Sequence, residues 1–361
     1  MKWPSWLPLR SELSPLTPYG APQLPAQAWL NTNENPYSPS PSLQKALAEA
    51  TLKESANLNR YPDRDANQLR TKLASYINSV SGTDFSLNNI WAANGSNEII
   101  QSIFLAFGEG TALGFNPSYS MHPLIAKVCG TSWIDGKRDI DFSLNIDIAA
   151  EQIASEKPMI TFVTTPNNPT GGSISISEIQ QLADASAKVG GLLIVDEAYA
   201  EFSSQKSAVT LIERNPHVLV IRTMSKAFAF AGARVGYLVC DSAVNDAMML
   251  VRLPYHLSAI TQAAACVAID FKDELLGNVA TLINARESLV QSLHNLGLAT
   301  LPSSANFILF TGFQADATKL WSDLLGKGVL IRDVGLPGYL RVSVGNEAEN
   351  TLFISALQEL I

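Results

Sequence analysis

Cysteine is scarce, no block of one charge sign occurs and no long apolar run is present, and each lack removes a class of protein. The 361-residue chain holds three cysteines, Cys129, Cys240 and Cys266, far apart and odd in number. Such a set argues against a disulfide framework and for a reducing compartment. No run of about 18 apolar residues offers a membrane span. The opening stretch, MKWPSWLPLRSELSPLTPYG, carries four prolines and scattered charges, where a secretion signal needs an apolar centre and a small-residue cleavage site. A cytoplasmic location is therefore expected. Twenty-five Lys+Arg against 33 Asp+Glu leave a net charge of −8, and no basic stripe is available to track a nucleic-acid backbone. Neither nucleic acid nor membrane is an expected partner.

Several signatures of metal and nucleotide sites are missing too. The four histidines, His122, His217, His256 and His294, show no metal-ligand spacing, so no metal is expected. None of them is assigned a role, and His256, beside Tyr255, is the one placed near a site. Asp196-Glu197 after an apolar run could be the acid pair of an ATPase, but the G-x-x-x-x-G-K-[ST] loop it needs is absent, since Gly136-Lys137 continues with Arg138. The segment GEGTALG has the wrong spacing for a dinucleotide fingerprint and precedes a strand.

What remains is an ordinary globular composition, 47% hydrophobic, able to bury a sizeable core in a large domain plus a smaller one. A Pro/Ser-rich opening reads as an extended arm over residues 1–42. Leu43, Leu47 and Ala50, then Leu69, Leu73, Tyr76, Ile77 and Val80, recur at helical spacing. Between 111 and 240 short apolar runs, TALGF, MITFV, LLIV, VLVI and VGYLV, alternate with helical segments such as 177–189, the pattern of a mostly parallel α/β sheet. A large domain over 43–249 is expected. After 250 a long helical stretch, three short strand-like runs and a last helix near 347–361 predict a smaller α+β domain over 250–361.

Ligands of open α/β sheets sit beyond the carboxyl ends of the strands, and the residues there are unusually polar. MITFV runs into TTPNNPTGG with Asn168, LLIV into DEAYAEF with Asp196 and Tyr199, and VLVI into RTMSKAF with Thr223, Ser225 and Lys226. Arg234 follows Lys226 by eight positions. An amide, an acid with a nearby phenol, and a lysine fit pyridoxal phosphate: its aldehyde takes a lysine as a Schiff base, its ring nitrogen takes a carboxylate, and its phosphate takes donors and positive charge. Gly95-Ser96-Asn97 precede a helix with apolar Ile99, Ile100, Ile103, Phe104 and Phe107, a ready anion site. Near the other end, Arg332 and Arg341 are placed symmetrically about GLPG, residues 335–338. If GLPG is a hairpin turn, they face one another, which destabilises unless an anion lies between them. Guanidinium groups hold phosphate and carboxylate alike.

The segments LNTNENPY, NRYPD, NGSNE, TPNNPTG, DEAYAEF, RTMSKAF, FAGARVGY, VRLPYHLSA and LIRDVG…LRVSVG stand in an order that resembles the fold type I aminotransferases, most closely the histidinol-phosphate aminotransferases, over essentially the whole chain. The resemblance implies the fold type I α/β architecture, with a large mostly parallel α/β/α domain and a smaller α+β C-terminal domain. It implies Lys226 as Schiff-base lysine and general base, Asp196 on the pyridine nitrogen, Asn168 and Tyr199 on the ring oxygen, and Tyr119 stacked on the ring. Gly95, Ser96, Asn97, Thr223, Ser225 and Arg234 would form the cup for the cofactor, with Tyr61 reaching in from the neighbouring subunit of a homodimer. Tyr19, Asn97 and Tyr255, with the Arg332 and Arg341 fork, would line the substrate pocket. The expected reaction interconverts histidinol phosphate plus 2-oxoglutarate and imidazole-acetol phosphate plus glutamate, in histidine biosynthesis. The alternatives are a phosphothreonine decarboxylase-like lyase, an aromatic amino acid aminotransferase and a cofactor-sensing regulatory module.

Overall fold

Short Val- and Ile-rich runs become the strands of a central sheet. The computed structural model describes residues 3–18 and 20–361, so Tyr19, expected at the substrate pocket, lies outside the described residues. The strands are β1 (Ala28–Trp29), β2 (Ile90–Ala93), β3 (Thr111–Asn116), β4 (Ser132–Lys137), β5 (Ile160–Thr164), β6 (Leu192–Asp196), β7 (Val218–Thr223), β8 (Gly236–Val239), β9 (Ala299–Thr300), β10 (Phe307–Thr311), β11 (Val329–Leu330) and β12 (Leu340–Ser343). Seven of them form one sheet in the order β2-β8-β7-β6-β5-β3-β4. Its members β4, β3, β5, β6 and β7 run parallel, whereas β8 is antiparallel to both β7 and β2.

Side chains alternate between two faces, and both faces are covered, which is why β5 and β7 are buried throughout. Leu193, Val195, Val218, Val220, Tyr237 and Val239 point into one core with helices Asn67–Ser81, Ile146–Glu156 and Ile176–Lys188. Ile194, Leu219, Ile221 and Leu238 point into the other, with helices Ser96–Phe107, Met121–Cys129 and Ser242–Val251. The helix at 176 starts where it does because Ser175 and Glu178 form a reciprocal capping box. A smaller antiparallel sheet, β12-β10-β9, carries a third core. Ala28 and Leu30 of the arm are buried in that core, and β1 pairs with β11. The arm is thus docked over its last residues by strand addition.

Helix Ala259–Asp270 packs on helices Pro41–Ser55 and Asn67–Ser81, so the expected start of the small domain at 250 falls too early by packing. The long helix Lys272–Asn295 bridges the two bodies: Leu275, Val279 and Leu282 join the large core, Leu289 and Leu293 the small one. We propose the domain boundary inside this helix. Among the described residues no helix is long and apolar enough to cross a membrane.

One close approach sets up the site. A Cβ on Gly236 would lie 2.6 Å from the backbone carbon of Gly95 and from the Ser96 nitrogen. Only glycine lets β8 pass under the turn that opens helix Ser96–Phe107.

Candidate active site

The carboxyl ends of β5, β6 and β7 open into a cavity of about 490 Å³. It brings together Ser96, Asn97, Tyr119, Asn168, Asp196, Tyr199, Thr223, Ser225, Lys226, Arg234, Arg332 and Arg341. These come from strand ends, one helix N-terminus and the small sheet, segments widely separated in sequence. Among the described residues there is no cluster of three or more His, Cys, Asp or Glu arranged to hold a metal ion.

Lys226 sits three residues past the end of β7 and reaches the arm, where its Nζ donates to the Thr32 carbonyl at 2.8 Å. Burial pushes its amine from 10.5 down to about 8, with Arg341 and Arg234 adding to the push and Glu34 opposing it. Asp196 ends β6 with its carboxylate inside the fold. Its Oδ1 accepts from the Ala198 amide at 3.1 Å and its Oδ2 lies 3.0 Å from His122 Nε2. His122 is buried and stacked on Phe162, ring centroids 4.5 Å apart. Sequence reasoning gave His122 no role and placed His256 near the site. The structure reverses that: His256 Nε2 lies 2.8 Å from the Ala92 carbonyl with its ring over Trp91, away from the cavity lining. The one available signal for His122 was its place three residues after Tyr119, at the head of a helix.

Around Lys226 the polar groups are mutually fixed. Tyr199 Oη accepts from Asn33 Nδ2 at 2.9 Å, and Tyr119 Oη donates to Asn97 Oδ1 at 3.1 Å. Thr223 Oγ1 donates to Ser225 Oγ at 3.0 Å. Gly95 has φ +84 and caps helix Ser96–Phe107, and a Cβ there would lie 2.5 Å from Arg234 Nη2. The Arg234 guanidinium therefore lies against the bare Gly95 backbone at a helix N-terminus, a cationic cradle with amide donors. The arm segment LNTNENPY supplies Asn31, Thr32, Asn33 and Glu34 to the same cavity, contacts that an extended arm did not foretell.

Arg332 and Arg341 exchange backbone hydrogen bonds at 2.9 Å in each direction, an isolated antiparallel bridge. Arg341 is buried, donates to Asn168 Oδ1 and to the Asn31 carbonyl, and lies 5.1 Å from the Phe307 ring centre. Both arginines line the cavity. Tyr61 and Tyr255, expected at the cofactor phosphate of a neighbouring subunit and at the substrate pocket, do not line it in this single chain. They stack on each other at the surface, ring centroids 4.4 Å apart, and remain 79% and 39% exposed. Arg252 holds the two segments together through the Arg64 carbonyl and the Asp65 carboxylate.

Residues 25–357 match the family model for aminotransferase class I and II. The histidinol-phosphate aminotransferase of Mycolicibacterium vanbaalenii is 53% identical over 354 residues, 97% of this chain and 95% of that one. The chain belongs to the class I and II aminotransferases, and within them to the histidinol-phosphate aminotransferase family. The fold is shared with the histidinol-phosphate aminotransferase of Sinorhizobium meliloti in complex with pyridoxal-5'-phosphate, at 24% identity and a TM-score of 0.80, covering 93% of this chain and 91% of that one. It is shared equally with the L-threonine-O-3-phosphate decarboxylase of Porphyromonas gingivalis, at 21% identity and a TM-score of 0.78, covering 92% and 99%. Shape alone therefore does not separate transaminase from lyase. Full-length identity to the transaminase does.

As a member of this family the chain is a pyridoxal-phosphate-dependent transaminase. The cavity suits that cofactor on its own chemistry. A buried acid held by a histidine could meet a ring nitrogen, a partly buried lysine could take an aldehyde, and the Gly95–Arg234 cradle could take a phosphate.

The depressed lysine makes a pH-dependent prediction for the cofactor-free protein. Its folded value, about 8, lies below the ordinary 10.5, so the unfolded chain binds more protons in that interval and stability rises with pH there. Below pH 8 the buried charge costs its full amount. Cofactor-free Lys226→Met should melt higher than cofactor-free wild type at pH 7, and the gap should narrow as pH climbs from 8 toward 10.5. A gap independent of pH across that interval contradicts the assignment.

Proposed function

We propose that the chain moves an amino group between histidinol phosphate and 2-oxoglutarate, giving imidazole-acetol phosphate and glutamate in histidine biosynthesis. The observation that carries this reading is the Arg332–Arg341 bridge in the lining of the Lys226 cavity. Both substrates are anions, and two guanidinium groups can grip a phosphate in one half-reaction and a carboxylate in the other. The same reading puts the protein in the cytoplasm, where its free thiols stay reduced.

Bound pyridoxal phosphate supplies an electrophilic carbon for amines and a protonated ring that draws electrons from the neighbouring bond. Asp196 would hold the proton at the ring nitrogen, and His122 fixes the carboxylate that would do so. Asn168 and Tyr199 would hydrogen-bond the ring oxygen, and Tyr119 would cover the ring. Ser96, Thr223, Ser225 and Arg234 would hold the phosphate. Lys226 Nζ, with its affinity for protons lowered by burial, takes a proton from the substrate carbon and returns it.

A homodimer belongs to the same proposal. Tyr61 and Tyr255 form a stacked pair outside their own cavity, beside exposed Leu58, Leu250 and Leu253. We read this face as the one that meets a second copy, with Tyr61 reaching the partner's cofactor phosphate and Tyr255 the partner's substrate pocket.

Purified protein should form glutamate from 2-oxoglutarate in proportion to histidinol phosphate consumed. Carbon dioxide release from phosphothreonine without glutamate formation contradicts the transaminase. Arg332→Ala and Arg341→Ala should each raise the KM for histidinol phosphate roughly 10- to 150-fold, the range for losing a hydrogen bond to a charged group. An unchanged KM in both removes the fork. For the dimer, Lys226→Ala and Tyr61→Ala are each expected to be inactive, and refolding them together should restore one intact site per mixed dimer. Verified mixed dimers that stay inactive contradict shared sites.

A further inference from the structure

The residues that face the cavity have sequence neighbours that face away from it, and those neighbours are bonded to one another. Thr223 and Arg222 pair across the β7–β8 ladder with Gly236 and Tyr237, so the strand's alternation sends their side chains to opposite faces. Asp196 and Glu197 divide in the same way at the end of β6: Asp196 lines the cavity and Glu197 does not. On the far face Arg222 Nη1 donates to Glu197 Oε2 at 2.7 Å, and Arg222 Nη2 donates to Glu201 Oε1 at 2.8 Å. Glu201 belongs to the short turn Ala200–Phe202 that follows Tyr199. Glu197 is further fixed by the Ala208 amide and the Ser207 hydroxyl, both at 2.6 Å. Tyr76 Oη donates to the Glu201 carboxylate at 3.3 Å.

We propose that Arg222 is a positioning residue: through Glu197 and Glu201 it ties together the three segments that carry Asp196, Tyr199 and Thr223–Lys226, and so sets the geometry of the cofactor-facing side. The inference rests on the reading of that cavity as the cofactor site. All three charged side chains are at least nine-tenths buried, and a buried ion cluster is a poor source of stability compared with apolar packing. What a forked guanidinium does well is fix two carboxylates at once in a set geometry. A lysine keeps the charge but cannot make both contacts from one planar group. None of the three charged side chains lines the cavity, so the cluster would act through where Asp196, Tyr199 and Lys226 stand.

The test uses the holoenzyme with Arg222→Lys, Arg222→Met and Glu201→Gln, each checked for native circular dichroism. The readouts are kcat and KM with histidinol phosphate, the Kd for pyridoxal phosphate, and the pH titration of the bound cofactor's absorption. Positioning predicts that kcat falls about 10- to 100-fold with KM within about twofold of wild type. It also predicts a weaker Kd and a displaced titration midpoint, with Arg222→Lys closer to wild type than Arg222→Met. Should Arg222→Met not fold, Glu201→Gln still takes the charge off one arm while leaving the Arg222–Glu197 pair, and smaller changes in the same direction are expected of it. Folded variants that are less stable yet keep wild-type kcat, Kd and titration overturn the inference and leave the cofactor reading standing. A wild-type protein that binds no pyridoxal phosphate overturns that reading and the inference with it.

Discussion

Parallel strands deliver their carboxyl ends to one edge of a sheet, and in this protein three adjacent ends, those of β5, β6 and β7, define the chemistry. Each apolar run gives way to polar residues where the sheet stops, and the chain there stays largely buried, so those polar groups face the cavity or one another rather than open solvent. Asn168, Asp196 and Thr223–Lys226 follow from that geometry as much as from their own identities. The two glycine contacts complete it. Gly236 lets β8 approach the 95–96 turn, and Gly95 lets Arg234 lie against it. Side-chain atoms at either position would separate the helix N-terminus from the cation that complements it.

Electrostatically the cavity is at odds with the rest of the molecule. The chain as a whole is acidic, net −8, yet Lys226, Arg234, Arg332 and Arg341 converge on one space. Repulsion from Arg341 and Arg234 is part of why Lys226 gives up its proton more readily than a surface lysine, second to burial. The same convergence makes the cavity receptive to anions, phosphate on the cofactor and on histidinol phosphate and carboxylate on 2-oxoglutarate. One arrangement thus serves proton transfer and anion binding together.

Much of this was legible in the sequence because the informative residues directly follow the runs that reveal the strands. Lys226, Asp196 and Asn168 announce themselves by position, and the spacing of Arg332 and Arg341 about GLPG already implied the bridge. Other features depend on contacts that no local pattern encodes. His122 matters through a tertiary contact with Asp196, 74 positions away. β4 is an edge strand with three exposed positions and two intermediate ones, so it shows no continuous apolar run. The antiparallel direction of β8 follows from the loop over residues 224–235, which returns the chain beside β7, rather than from its composition. Helix Ala259–Asp270 reads as the start of a second domain by position, but its burial against helices Pro41–Ser55 and Asn67–Ser81 is decided by the whole large core. Tyr255 shows a similar limit, since the motif that carries it does not foretell that its ring stacks on Tyr61 at the surface rather than lining the cavity.

The central claim is that Lys226 is the amine that carries the cofactor. Holoenzyme treated with borohydride, digested and sequenced by mass spectrometry reads this directly. The account predicts a pyridoxyl-phosphate mass on the peptide containing Lys226 and on no other lysine. Reduction that leaves that peptide unmodified, or places the adduct on another lysine, contradicts it.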